Sequence, residues 1–204
     1  MGGLLKLSAL ADRLNTAVGR TVYWLVLVVV LISATNALVR KFFDMSSNAW
    51  LEAQWYLFSV IFLFCAGYTL LRNEHIRIDI VNSGLSKTTR NWIDVAGHVL
   101  FLLPLCVIVL IESWPYFMQG FTLESHGFFQ DVRRLILIAF GASGEGYTIE
   151  MSSNAGGLAR WPAKLLIVIG FALLLLQAVS ELIKRIAVMA GRLPDPHEQK
   201  SGPH

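Results

Sequence analysis

Thr21-Val22-Tyr23-Trp24-Leu25-Val26-Leu27-Val28-Val29-Val30-Leu31-Ile32-Ser33-Ala34-Thr35-Asn36-Ala37-Leu38-Val39 carries no charged side chain. As a helix rising about 1.5 Å per residue it is about 28 Å long, enough for a hydrocarbon core of about 30 Å. Tyr23 and Trp24 stand at its head and Arg40 and Lys41 at its tail, the flanks expected where a helix enters and leaves a bilayer. The basic residues before it are sparse, the apolar run is long and no clean small-x-small site precedes Arg40, so the stretch reads as a span rather than a cleaved leader.

Outward from this stretch, the pattern repeats. Further apolar runs cover about residues 55–71, 95–111 and 165–182. Ser47 or Asn48 can cap the second, with Trp50, Trp55 and Tyr56 as an aromatic collar. Ser86 is an N-cap for a helix that passes Trp92 and becomes the third span, and Pro104 is expected to kink it. Trp161-Pro162 opens the fourth, and Gly191 and Pro194 close its extension. Before the first span, Leu4, Leu7, Leu10, Ala11, Leu14 and Val18 return at helical steps with Lys6, Asp12, Arg13 and Asn15 opposite. This spacing predicts an amphipathic helix lying at the membrane interface. Residues 112–163 form one long connection, within which Phe129, Val132, Ile136 and Phe140 predict a short surface helix, with Arg133 and Arg134 off its stripe.

Composition agrees with the spans. The chain is 55% hydrophobic and 15% charged, with a mean hydropathy of +0.57, against about a quarter charged for soluble domains. The expected fold is an all-α integral membrane protein. It has four transmembrane helices in one domain (1–193), the N-terminal interfacial helix, and a disordered cytoplasmic tail (194–204). Four spans place both termini on one side. Lys6, Arg13, Arg20, Arg72, Arg77, Lys87, Arg90, Lys184, Arg185, Arg192 and Lys200 lie on that side; Arg40, Lys41, Arg133, Arg134, Arg160 and Lys164 lie on the other. The excess favours termini inside and the long loop outside.

Chemistry is sparse. Cys65 and Cys106 fall inside apolar runs and read as buried small hydrophobes. No Gly-rich phosphate loop, HExxH, CxxC or Gly-x-Ser-x-Gly motif occurs, so no catalytic residue, metal ligand, cofactor site or nucleic-acid contact is expected. His98 reads as a helix–helix hydrogen bonder, with a proton relay as the rival. Glu181 is matched by Lys184 and Arg185 on its own helix. Gly67, Ala96, Gly97 and Gly170 are candidates for close helix packing. No span carries enough polar groups to line a hydrophilic path. A polytopic chain of that kind points to an accessory subunit.

One charged cluster stands out. Asn73-Glu74-His75-Ile76-Arg77-Ile78-Asp79 follows the second span with more charge than orientation requires. Together with Glu52-Ala53-Gln54-Trp55-Tyr56, Arg90-Asn91-Trp92-Ile93-Asp94 and Ser153-Asn154-Ala155-Gly156-Gly157 through Trp161-Pro162, it resembles the small permease subunit of tripartite ATP-independent periplasmic (TRAP) transporters, the DctQ family. The resemblance covers about residues 20–187.

It implies a scaffold subunit in a bacterial inner membrane, beside a DctM-like large permease that holds the substrate and sodium sites. A DctP-like periplasmic binding protein would deliver an organic anion such as a carboxylate. Glu74, His75, Arg77 and Asp79 would form a cytoplasmic latch or subunit contact. Glu52, Trp55, Arg90, Trp92, Asp94, Asn154, Gly156, Gly157, Trp161 and Pro162 are the other motif positions. Residues 124–150 depart from the family by their length. The alternative from another class is a haem-carrying membrane anchor of a redox enzyme, using His75 and His98.

Overall fold

The computed structural model describes residues 2–44, 47–72, 86–121, 123–139 and 147–192. Its elements are α1 (Gly2–Phe43), α2 (Asn48–Arg72), α3 (Lys87–Gly97), a π-helical turn (His98–Leu102), α4 (Leu103–Met118), a 3₁₀ turn (Gln119–Phe121), α5 (Phe128–Ala139) and α6 (Trp161–Met189). Among the described residues, extended pairing is confined to one isolated bridge, Met151 with Ala159. Four helical stretches are long and apolar enough to cross a membrane: Gly2–Phe43, Asn48–Arg72, Asn91–Phe121 and Trp161–Met189. The expected latch residues Glu74, His75, Arg77 and Asp79, and the tail 194–204, lie outside the described residues.

Helix ends follow local chemistry. Ser86 caps α3, its hydroxyl accepting the Thr89 N–H at 3.2 Å. Pro162 occupies the first turn of α6, where its missing N–H costs nothing. At the other end of α6, the Gly191 N–H bonds the Val188 carbonyl and the Arg192 N–H the Ala187 carbonyl, both at 2.9 Å. Gly191 has φ +68°, the left-handed residue that this Schellman closure requires. Just before Pro104 the helix widens into a π-turn, where the Leu103 N–H reaches five residues back to the His98 carbonyl.

The chain forms two compact units. One comprises Met1–Arg20, Phe64–Val107 and Ala172–His204, the other Thr21–Leu63 and Ile108–Phe171.

In the first unit, the N-terminal expectation is corrected. Residues 4–18 are not a separate helix; they are the opening turns of α1, continuous with the first span. The leucine stripe is also turned outward: Leu4, Leu7, Leu10 and Leu14 are 44–63% exposed, while Ser8, Ala11 and Asn15 are buried. Lipid tails are as apolar as leucine, so helices in a bilayer gain little by burying it and pack through small and polar side chains instead. Gly19 and Gly67 show the packing directly. A Cβ on Gly19 would strike the Tyr68 ring, and one on Gly67 would strike the Asn15 amide. The other two expected packing positions do not take that role, since Ala96 is exposed and nothing lies within 4 Å of a Cβ placed on Gly97.

The second unit holds an aromatic core. Phe117, Met118 and Leu123 are buried, with Trp114, Leu135, Ile138, Trp161 and Leu165 packed on them. Phe121 stacks on Trp161 with ring centroids 5.6 Å apart. Gly120 lets that stack close, because a Cβ there would sit 2.8 Å from the Trp161 Cβ. Gly170 likewise lies against Leu63, as small-residue packing predicts.

Candidate functional site

Three polar constellations organise the spans. The first joins Asn48–Arg72 to the loop before α6. Glu52 lies one turn into α2 and is buried. Its carboxylate accepts from the Ser152 hydroxyl, from the Asn154 amide at 2.8 Å and from the Leu158 N–H at 2.6 Å. The loop is shaped to deliver those donors. The Ser152 N–H bonds the Leu158 carbonyl at 2.9 Å, and the Gly157 N–H closes a turn on the Asn154 carbonyl at 3.0 Å. Gly156 supplies the positive φ, +71°, that the turn needs. Gly157 is obligatory for a different reason: a Cβ there would meet Ser152 and the Glu52 carboxylate.

Beside this anchor, Lys164 and Arg160 share Glu150, at 2.5 and 3.2 Å. The hydrogen bond from Lys164, aided by Arg160 and opposed by partial burial, holds the Glu150 carboxyl below the usual range. Lys164 also stands 4.3 Å above the Tyr116 ring. Together Glu52, Trp55, Tyr56, Tyr116, Arg160 and Lys164 line an open pocket of about 350 Å³. Both of its cations are paired with Glu150 and its one carboxylate, Glu52, is taken by three neutral donors, so none of its charges is left free for an ionic substrate.

The second constellation couples the start of α1 to the end of α6. Asn15 donates to Gln177 at 2.9 Å and Gln177 to Asp12 at 2.9 Å; the Ser8 and Ser180 hydroxyls meet at 2.7 Å. Lys184 bridges Asp12 at 3.1 Å and Glu181 at 2.5 Å. Residues 8, 12 and 15 face residues 177, 180, 181 and 184, the same-face steps of two helices. Glu181 therefore has the expected Lys184 partner. Arg185 is spent elsewhere, in a third constellation: it pairs with Asp94 at 3.2 Å and reaches Asn91 at 3.4 Å, both on α3. The buried charges of these two constellations meet opposite ones, Lys184 with Asp12 and Arg185 with Asp94, as burial in a low-dielectric medium demands.

The motif positions thus divide. Glu52, Asn154, Gly156 and Gly157 converge on one anchor, with Trp161 and Pro162 opening the helix that follows it. Asp94 joins Arg185. Trp55 and Trp92 are exposed, at 62% and 59%. The Arg90 side chain lies outside the described residues. Among the described residues His98 bonds within its own helix, its Nδ1 lying 2.7 Å from the carbonyl of Asp94.

Sequence reasoning missed Ser152 and Asp131, and assigned Arg185 to Glu181 rather than to Asp94. Asp131, fully buried on α5, accepts from Trp114 at 3.0 Å, Ser125 at 2.6 Å and the His126 N–H at 2.9 Å. Burial pushes its carboxyl up, but these hydrogen bonds and nearby Arg134 outweigh it and hold the group below the ordinary value. Helical spacing offered one signal for it, a lone acid at one step from Phe128 and Leu135.

Compared with known proteins, the chain matches the family model described as "Tripartite ATP-independent periplasmic transporters, DctQ component" over residues 29–188. No curated protein and no solved structure matches it.

Proposed function

Because the chain belongs to the DctQ component family of tripartite ATP-independent periplasmic transporters, we propose that it is the small scaffold subunit of a sodium-coupled importer for an organic anion such as a carboxylate. It works with a DctM-like large permease and a DctP-like periplasmic binding protein, and it performs no catalysis of its own. The family match carries this reading. The pairing of polar groups between helices supports it: Asp12 with Lys184, Asp94 with Arg185 and Asn15 with Gln177 lock helices to one another rather than presenting charge to a moving solute.

The chain sits in a bacterial inner membrane with both termini cytoplasmic and residues 122–160 periplasmic. The opening turns of α1 lie at the cytoplasmic interface, their leucines in lipid. Glu74, His75, Arg77 and Asp79 form a latch to the large subunit. The family match gives no support to the haem-carrying alternative, whose His75 lies outside the described residues.

Co-purification with a DctM-like large permease tests the assignment. Arg77→Ala is expected to lower recovery of the partner several-fold, and Arg72→Ala little, since Arg72 rests on Tyr68 of its own helix, Nε to hydroxyl at 3.0 Å. Equal effects would remove the latch from the account; no co-purification of the unaltered chain would remove the partnership itself.

A further inference from the structure

The stripe Phe129, Val132, Ile136 and Phe140 predicts a short surface-lying helix, and α5 is a helix over Phe128–Ala139. What packs inward, however, is a different set. Leu135 and Ile138 contact the aromatic core, Phe128 stacks on Trp114 with centroids 4.6 Å apart, and Asp131 is fully buried. Residues on a helix are offset by about 100° each, so Val132, Ile136 and Phe129 continue the apolar arc beyond the part that the protein covers. Phe129 is 87% exposed and Ile136 51%.

Arg133 comes next around the helix, also exposed, followed by Leu137 and Gln130. Arg134 comes after Gln130 and is used internally, donating to the Glu124 carbonyl at 3.0 Å and lying 2.9 Å from His126 Nδ1. The helix therefore has three sectors: one against protein, one apolar and uncovered, one polar. Its inward sector meets Trp114 and the core of Phe117, Met118 and Leu123 at the end of one membrane-length helix, a core on which Trp161 and Leu165, at the first turns of another, also pack. That places α5 at the depth where spans emerge.

We propose that the uncovered sector of α5 inserts Phe129, Val132 and Ile136 into the headgroup–acyl boundary of the bilayer, with Arg133 on a lipid phosphate. A basic residue at the edge of an apolar arc can lie along lipid tails while its head reaches the phosphate layer. A partner protein would need its own complement to this arc; the bilayer is already present at the ends of the two spans that hold α5. The inference rests on the reading that the chain spans a membrane, and the test contains a check of that reading.

The full chain, with Cys65 and Cys106 replaced by Ala, is reconstituted in phosphatidylcholine–phosphatidylglycerol vesicles. It carries one nitroxide label at a time at Phe129→Cys, Ile136→Cys, Gln130→Cys or Leu105→Cys. Leu105, 53% exposed on α4, reports the span itself. The expected ratio of collisions with oxygen to collisions with a water-soluble nickel chelate is several-fold higher at 129 and 136 than at 130. It is also high at 105, and Arg133→Glu lowers it at 129. A ratio at 129 and 136 equal to that at 130, with 105 still lipid-like, overturns the proposal alone. Exclusion of both reagents at 129 and 136 overturns it in favour of a protein occupant. A water-like 105 overturns the membrane reading. In the native-cysteine chain, Phe129→Trp and Gln130→Trp give an independent answer. The emission added at 129, and not that at 130, is expected to be quenched by lipids brominated in the upper acyl chain.

Discussion

At the scale of single residues, the chain depends on acids placed where donors already converge. Glu52 gathers three donors from the loop before α6. Glu52→Ala is expected to raise protease cleavage within residues 150–160 several-fold while leaving helix content unchanged; unaltered cleavage would show that the loop holds itself. Asp94 and Arg185 make the opposite kind of test. Removing one member strands the other in a low-dielectric setting, so Arg185→Leu should cost about 3 kcal/mol of stability, and adding Asp94→Leu should recover much of it. Thermal unfolding of both variants in detergent reads this coupling. Asp131 makes stability depend on pH. Its folded value is depressed, so the stability it contributes is fully present above its ordinary value of 3.8 and is lost as pH falls through the lower folded one. Acidification below about 4 should therefore loosen α5, a change that hydrogen exchange of residues 123–139 would report and that Asp131→Asn should largely abolish.

At the scale of elements, close approach depends on which glycine faces a neighbour. Gly67→Ala should destabilise the chain by about 1–3 kcal/mol, because the Asn15 amide occupies the space. Gly97→Ala should be neutral or slightly stabilising, since nothing faces it and alanine is the better helix former. Unfolding midpoints of the two variants separate packing from propensity. The same contrast shows what a reader of the sequence can and cannot see. Helix ends were legible at Ser86, Trp161-Pro162 and Gly191 because capping chemistry is local to a few residues. The buried face of α1 was not: Leu4, Leu7, Leu10 and Leu14 form the obvious stripe, yet in lipid that stripe marks the outside, and Ser8, Ala11 and Asn15 mark the contact. On α5 the helix itself was legible, but the burial of Asp131 was not, because its donors Trp114 and Ser125 lie outside the helix. Glu52 could be singled out as unusual at a span entrance, whereas its partner Ser152, 100 residues away, left no local trace. The π-turn before Pro104 was visible only as a place where the helix must give.

At the scale of the whole molecule, four membrane-length helices carry their polar groups in matched sets, and their large apolar side chains point outward. Leu31, Phe62, Phe101 and Ile111 are each more than half exposed. Such surfaces are ordinary in lipid and against other membrane helices, and they suit a subunit that supports a transport machine rather than one that handles solute. The measurement that bears most directly on this is sodium-driven uptake in proteoliposomes, using the organic anion that the accompanying binding protein retains. The chain is reconstituted alone, the large permease alone, and the two together, each with binding protein outside. The account predicts uptake only when both membrane chains are present. Uptake by this chain alone, or undiminished uptake by the large permease without it, would contradict the account.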